Sequence, residues 1–373
     1  MTLRTKVALG LLVFVPISIA AERLGMGEGA VFITSALAIL PLAVWLSTAT
    51  EELALALGPS IGALLNAVFG NATELIIALT ALRAGLVDIV KASITGTVVA
   101  NLLLALGLSM LVGGIGRQEQ QFQPVLARVN GTAMSLAVLA ILIPSLTGMG
   151  DGGHGLGTER FSTFVAWVLL LVYGLTLLFS LRTHSALYEV AEAELGEPTS
   201  TNTSNGAGEK PAHTPSILPW LLVLAAATAG VAYESELFMG VVEEVTAKVG
   251  LSALFTGVVL LPLLGGVAEY LTAVTMARKD KMDLSVSVVM GSTLLVALLV
   301  VPILVLLGPV LGHPLDLNFQ IYELVAIATA VVVSNLVSLD GRSDWLEGVL
   351  LLAAYVILAA GFYFQSMPLA AVT

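Results

Sequence analysis

The feature that most constrains this chain is a succession of apolar runs, each long enough to cross a lipid bilayer. A spanning helix needs roughly 20 apolar residues. Runs of that kind, cut by charged or Gly/Pro-rich breaks, cover 5–21, 29–50, 60–83, 88–113, 124–147, 160–181, 216–238, 251–277, 284–308, 319–338 and 345–365. Only 11% of the 373 residues are charged and the mean hydropathy is +0.99, whereas a soluble domain carries roughly 25% charged residues. Such a chain cannot clothe a globular surface in polar groups, so its solvent must be lipid. The predicted fold is an all-α integral membrane protein of about 11 transmembrane helices.

The first run, with Arg4 and Lys6 at its start, has the outline of a leader peptide. It reads as a retained extra helix over residues 1–27. Residues 184–215 break the pattern. They are polar, rich in Ser, Thr, Gly and Pro, and with Glu189, Glu192, Glu194 and Glu197 around them they read as an acidic linker. That leaves 28–183 and 216–373 as two blocks of five helices.

Orientation follows from the cationic side chains. With the N-terminus in the cytoplasm, the inner segments hold ten of the 15 Lys and Arg: Arg4, Lys6, Arg117, Arg128, Arg182, Lys210, Arg278, Lys279, Lys281 and Arg342. The outer segments hold Arg23, Arg83, Lys91, Arg160 and Lys248. The predicted topology is N-terminus inside, linker inside, C-terminus on the opposite side.

The two blocks are related. Shifting 70–104 by 195 residues lays it on 265–299 without a gap, pairing Gly70 with Gly265, Glu74 with Glu269, Arg83 with Arg278, Asp88 with Asp283 and Gly96 with Gly291. Apolar matches arise by chance in such sequences, but charged matches inside membrane spans do not. Each block holds an odd number of crossings, so the second enters from the opposite side. Inverted repeats are typical of secondary transporters, with the substrate near the midplane.

Glu74 and Glu269 carry the chemistry. An ionisable side chain inside a span is costly and points to function by default, and here it occurs twice at related positions. On an ideal helix, Asn66, Gly70, Thr73 and Glu74 share one face, as do Gly265, Glu269 and Thr272. The glycine one turn before each glutamate permits close helix packing or a break that bares carbonyls to an ion. Thr97 and Ser292, just after the matched Gly96 and Gly291, and Asn101 one turn on, are candidates to complete the shell. Glu51–Glu52 and Glu243–Glu244 are access-path candidates at opposite faces, or simply solvated helix ends. Glu323 and Glu347 lack a repeat partner and are left out.

The donors are all oxygen. There is no cysteine, and His154, His184, His213 and His313 fall in loops. An oxygen shell suits a hard cation, Ca²⁺ best of all, since it takes 6–8 oxygens in flexible geometry; Mn²⁺ and Na⁺ are also compatible. Two buried carboxylates hold either protons or one divalent ion, but hardly both. With alternating access, that competition makes an exchanger. A passive cation channel is the weaker alternative. A membrane enzyme is disfavoured, because HExxH is absent and no His lies in a span. No cofactor and no nucleic-acid partner are expected, and a homo-oligomer is compatible with the pattern.

GNATELIIALTALRAG with TGTVVANLLLALG, and GGVAEYLTAV with GSTLLVALLVVP, resemble the two signature motifs of Ca²⁺/H⁺ exchangers of the CAX type, within the Ca²⁺:cation antiporter superfamily. The resemblance also covers TATEELALALGPSIGALLNAVFGNATEL, the run leading into the first motif. It implies eleven helices in a one-plus-five-plus-five arrangement with an acidic linker after the sixth, and Ca²⁺ exchanged for H⁺. It also implies ligand roles for Glu74, Asn71, Asn101 and Glu269. The second motif departs from the family pattern. Gly266 stands where an Asn is usual, Tyr270 where a His is usual and Leu295 where a Gln is common, so those three roles do not carry over.

Overall fold

The computed structural model describes residues 3–150, 156–183 and 216–365. The acidic linker, His154, His184 and His213 lie outside these residues. Helices occupy the apolar runs: α1 (Leu3–Leu11), α2 (Phe14–Arg23), α3 (Glu28–Leu57), α4 (Pro59–Phe69), α5 (Ala72–Arg83), α6 (Val87–Gly114), α7 (Pro124–Gly150), α8 (Leu156–Leu178), α9 (Ile217–Lys248), α10 (Ala253–Gly265), α11 (Val267–Arg278), α12 (Met282–Leu307), α13 (Ile321–Val337) and α14 (Trp345–Gln365). Among the described residues, seven helices are long and apolar enough to cross a membrane, or eight if α10 and α11 count as one broken span.

Three predicted spans are not single helices. The first is interrupted between α1 and α2. Pro16 has no N–H to give, and its ring crowds the carbonyl four residues back, at Leu12. The third parts at Gly70–Asn71 into α4 and α5, and the eighth parts at Gly266 into α10 and α11, bent by 62°. At Gly70 a Cβ would stand 2.5 Å from the Asn66 carbonyl oxygen, so the turn between α4 and α5 admits only glycine without rearrangement.

The boundaries echo one another at the offset of 195. Adding it to 72–83 gives 267–278, the bounds of α11. The long helices α6 and α12 each carry a π-helical turn, Ala100–Ala105 and Val296–Val300, at matching positions to within one residue. A third π turn, Thr256–Leu260, lies in α10. Packing follows the same scheme: α3 runs along α9, α5 lies on α9 while α11 lies on α3, and α6 and α12 sit at the centre. α6 and α12 are accordingly the most buried of the long apolar helices.

The extra helix is fastened by polar contacts. The Ser18 hydroxyl on α2 lies 2.6 and 2.7 Å from the two carboxyl oxygens of Glu234 on α9, and both residues are fully buried. At one end of the bundle, the short strands β1 (Gln120–Gln121) and β2 (Arg342–Ser343) pair antiparallel and join the α6–α7 and α13–α14 connections. At the other end the α12–α13 connection is pinned down. Lys91 pairs with Asp316 and donates to the Asn318 carbonyl (2.9 Å), and Ser145 donates to the Leu317 carbonyl (2.8 Å).

Candidate functional site

The breaks change what kind of position Glu74 and Glu269 occupy. Each would lie in the middle of a continuous span. Instead, each is the third residue of a new helix, α5 or α11. The N-terminal turn of a helix presents unpaired N–H groups and the positive end of its dipole, which favours an ionised carboxylate. The sequence left open whether the glycines served packing or breakage, and both occur. Gly70 makes the α4–α5 turn. Gly265 brings the crossing chains together: its Cα faces Glu74, whose Cγ would lie 3.1 Å from a Cβ there.

Around Glu269 the polar groups form a connected cluster. The Ser292 hydroxyl on α12 donates to the Glu269 carboxylate in a short hydrogen bond. Ser292 Oγ in turn accepts from Asn71 Nδ2 (2.7 Å) and Asn101 Nδ2 (3.0 Å). Asn71 stands at the position that begins α5, where an Asn side chain ordinarily caps its own helix. Here it makes no cap and reaches across to α12. Asn101 is presented by the π turn of α6, a distortion found frequently at functional sites. Four segments from both blocks thus meet at one hydroxyl.

Two acceptor oxygens are left over. Glu74 Oε1 and Asn101 Oδ1 are buried, and among the described residues neither has a hydrogen-bond partner. A buried acceptor without a donor costs about 1–3 kcal/mol, and a bound cation is the natural remedy. Glu74 also packs against Gly265, four residues before Glu269, so the two carboxylates belong to one region of the molecule.

The structure brings together Glu74, Glu269, Asn71, Asn101, Ser292, Gly70 and Gly265. Thr97 is close in sequence, but its hydroxyl donates to the Ser93 carbonyl of its own helix (2.9 Å). The four access-path candidates stand apart from the cluster. Glu51 is exposed and accepts from Ser47 (3.0 Å). Glu244 pairs with Lys248 (2.9 Å), which also pairs with Glu28 (2.7 Å). The sequence reading passed over Glu234 and Glu323, both buried. A carboxyl inside an apolar run is the available signal; Glu323 was left out for want of a repeat partner, and Glu234 was not singled out.

The two broken helices differ in how they meet the central pair. Val258 and its neighbours in α10 press on α6: a Cβ on Gly96 would clash with the Val258 backbone, and one on Gly257 would clash with Ala92. The related contact is missing. Gly291 on α12 is exposed, with open space where α4 would have to lie, and α4 packs on α3 and α5. A cavity of about 530 Å³ lies above the closed contact, lined by Asp88, Lys91, Ser252, Asn318, Gln320 and Glu323 among others.

Comparison with known proteins agrees with this architecture. The sodium/calcium exchanger protein family profile matches residues 28–182 and 219–364. The chain belongs to that family. Two relatives are Ca(2+)/H(+) antiporters, one from Aphanothece halophytica and one from Synechocystis sp. The first is 49% identical over 359 residues, 95% of this chain and 96% of the relative. The second is 50% identical over 372 residues, covering 98% and 99%. Among solved structures, native YfkE superposes with a TM-score of 0.80 at 35% identity, covering 96% of this chain and 99% of that one. The H+/Ca2+ exchanger CAX shares the fold, with a TM-score of 0.67 at 15% identity. The resemblance to CAX-type exchangers drawn from the two motifs is thereby borne out, and the chain is a multi-pass membrane transporter of a cation-exchanger family.

Proposed function

We propose that this transporter exchanges cytoplasmic Ca²⁺ for H⁺ by alternating access, with Glu74 and Glu269 as the shared ion and proton site. The observation that carries the reading is the pair of unsatisfied buried oxygens, Glu74 Oε1 and Asn101 Oδ1, beside the Glu269–Ser292 bond. Bound Ca²⁺ takes oxygens from Glu74, Glu269, Asn71 and Asn101, with Ser292 holding Glu269 in place. Gly70 and Gly265 belong to the site because they let the chain turn and approach there. Thr97 does not join the shell in this state, because its hydroxyl is spent on its own helix.

Coupling follows from charge. Two carboxylates facing each other away from water are tolerated when a divalent cation lies between them or when protons neutralise them. Release of Ca²⁺ therefore requires proton uptake, and proton release requires Ca²⁺.

The architecture we infer is one added helix (1–27) and two inverted five-helix repeats (28–183 and 216–373), joined by the linker at 184–215. The 195-residue echo of helix bounds and π turns supports it. The N-terminus is cytoplasmic and the C-terminus opposite. In that orientation α4 faces the cytoplasm, so the gap at Gly291 opens inward, with Glu51 and Glu52 near its mouth. The Gly96–Val258 contact closes the outer side, where Glu243 and Glu244 lie. The related antiporters' names favour H⁺ as the counter-ion over Na⁺.

Proteoliposomes carrying a pH-sensitive dye test the reading. Added Ca²⁺ should drive proton release by the wild type, and Glu74→Gln or Glu269→Gln should abolish it. Ca²⁺ uptake that persists in Glu74→Gln without a counter-gradient would favour a channel and end the proposal.

A further inference from the structure

The two breaks are built from different side-chain pairs, and the difference has a steric cause. In the first block the break carries Asn71, with Leu75 one turn on; subtracting 195 from 266 and 270 shows that their counterparts are Gly266 and Tyr270. The Tyr270 ring does not follow α11 outward. It folds back across the break, over Gly266, and its hydroxyl donates to the Pro262 carbonyl in α10 (3.1 Å). A Cβ on Gly266 would stand 2.5–2.8 Å from Cζ, Oη and Cε1 of that ring. Tyr270 is buried and tied at its tip, so the ring cannot simply yield. Tyrosine folded back in this way at 270 therefore requires glycine at 266.

The bond also consumes ligand capacity. A carbonyl oxygen has two lone pairs. That of Pro262 accepts the Gly266 N–H (2.9 Å) and the Tyr270 hydroxyl, so neither lone pair is left for an ion. Carbonyls at the end of a broken helix are the usual neutral ligands in such transporters. Gly266 also lacks the amide that its counterpart Asn71 contributes. The second break thus withholds two neutral oxygens, the Pro262 carbonyl and the amide of an Asn at 266, from the shell that Glu269 joins.

We propose that Gly266 and Tyr270 together are the specificity determinant of this exchanger, narrowing the oxygen shell and so weakening its preference for Ca²⁺ over a six-coordinate divalent cation such as Mn²⁺. This rests on the cation site proposed above. The test measures KM for Ca²⁺ and for Mn²⁺ in proton-coupled proteoliposome uptake, with a melting curve for each variant. Tyr270→Phe keeps the ring and frees one lone pair. It should fold normally and shift the KM ratio toward Ca²⁺ by about fivefold, the size of one neutral hydrogen-bonding contact. Gly266→Asn alone should melt lower and transport both ions poorly, because the new side chain evicts the ring. Adding Tyr270→Leu to it, which installs the first block's pair in the second, should restore melting and give the strongest Ca²⁺ preference of the set. An unchanged ratio in folded Tyr270→Phe overturns the specificity role. A stable, fully active Gly266→Asn overturns the steric coupling. A wild type that moves neither ion against protons overturns the parent reading, and this one with it.

Discussion

The α6–α10 contact and the α12–α4 contact lie at positions related by the offset of 195, yet one is shut and the other open. Gly96 and Gly257 let backbone meet backbone on one side. Their counterparts, Gly291 and Gly62, do not meet: Gly291 faces open space and Gly62 touches Ala54 of α3. The apolar side chains Ile61, Leu64 and Val68 of α4 stand more than half exposed. Two contacts related by the offset of 195, one closed and one open, outline the motion proposed above. Closing α4 onto Gly291 and withdrawing α10 from Gly96 would exchange the two sides. The carboxylates share the asymmetry. Glu269 is held by Ser292, whereas Glu74 keeps a free oxygen.

The sharpest way to break this comparison is by labelling. The chain has no cysteine of its own, so single cysteines report cleanly. Gly291→Cys and Ile61→Cys should react with a membrane-impermeant maleimide from the cytoplasmic side, while Gly257→Cys should be protected from both sides. Equal labelling of Gly257→Cys and Gly291→Cys would dissolve the distinction.

A leucine scan at the paired glycines comes next. Gly96→Leu drives a side chain into the Val258 backbone and should cost about 3 kcal/mol of stability, read as a lower melting temperature or loss of monodisperse protein. Gly291→Leu fills open space and should leave stability within about 0.5 kcal/mol. Its transport should nevertheless fall, because α4 can no longer close. Matching melting curves for the two variants would contradict the packing difference.

The smallest effects sharpen the chemistry. Ser292→Ala removes the hydroxyl that joins Glu269 to Asn71 and Asn101 and should raise the KM for Ca²⁺ about tenfold, as loss of a supporting shell does at metal sites. Thr97→Ala removes a hydroxyl that serves only its own helix in this state and should change KM by less than about threefold. Should Thr97→Ala prove the more damaging, the blocks exchange roles more fully than this state suggests.

Much of this was legible in the sequence. Hydropathy located the helices because lipid leaves a chain no other way to satisfy its backbone. The offset of 195 singled out Glu74 and Glu269, since the cost of burying charge makes a chance repetition improbable. The same criterion concealed Glu234. Its partner Ser18 belongs to the unrepeated helix, so repeat matching could not expose the pair.

The broken spans were only half visible. Glycine before each glutamate offered either packing or a break, and the sequence leaves that choice to contacts with other helices. Along the chain the departures at Gly266 and Tyr270 are two separate losses; in the fold the ring lies over the glycine. Glu74 and Glu269 therefore stand out as candidates from sequence alone, through the energetic cost of charge in lipid. Which of them is tethered, which of the two glycine contacts is open, and how the ring at 270 excludes a side chain at 266 were decided only by the tertiary structure. Those properties depend on which backbone lies within a few ångströms of which side chain, and no periodicity along the chain encodes that.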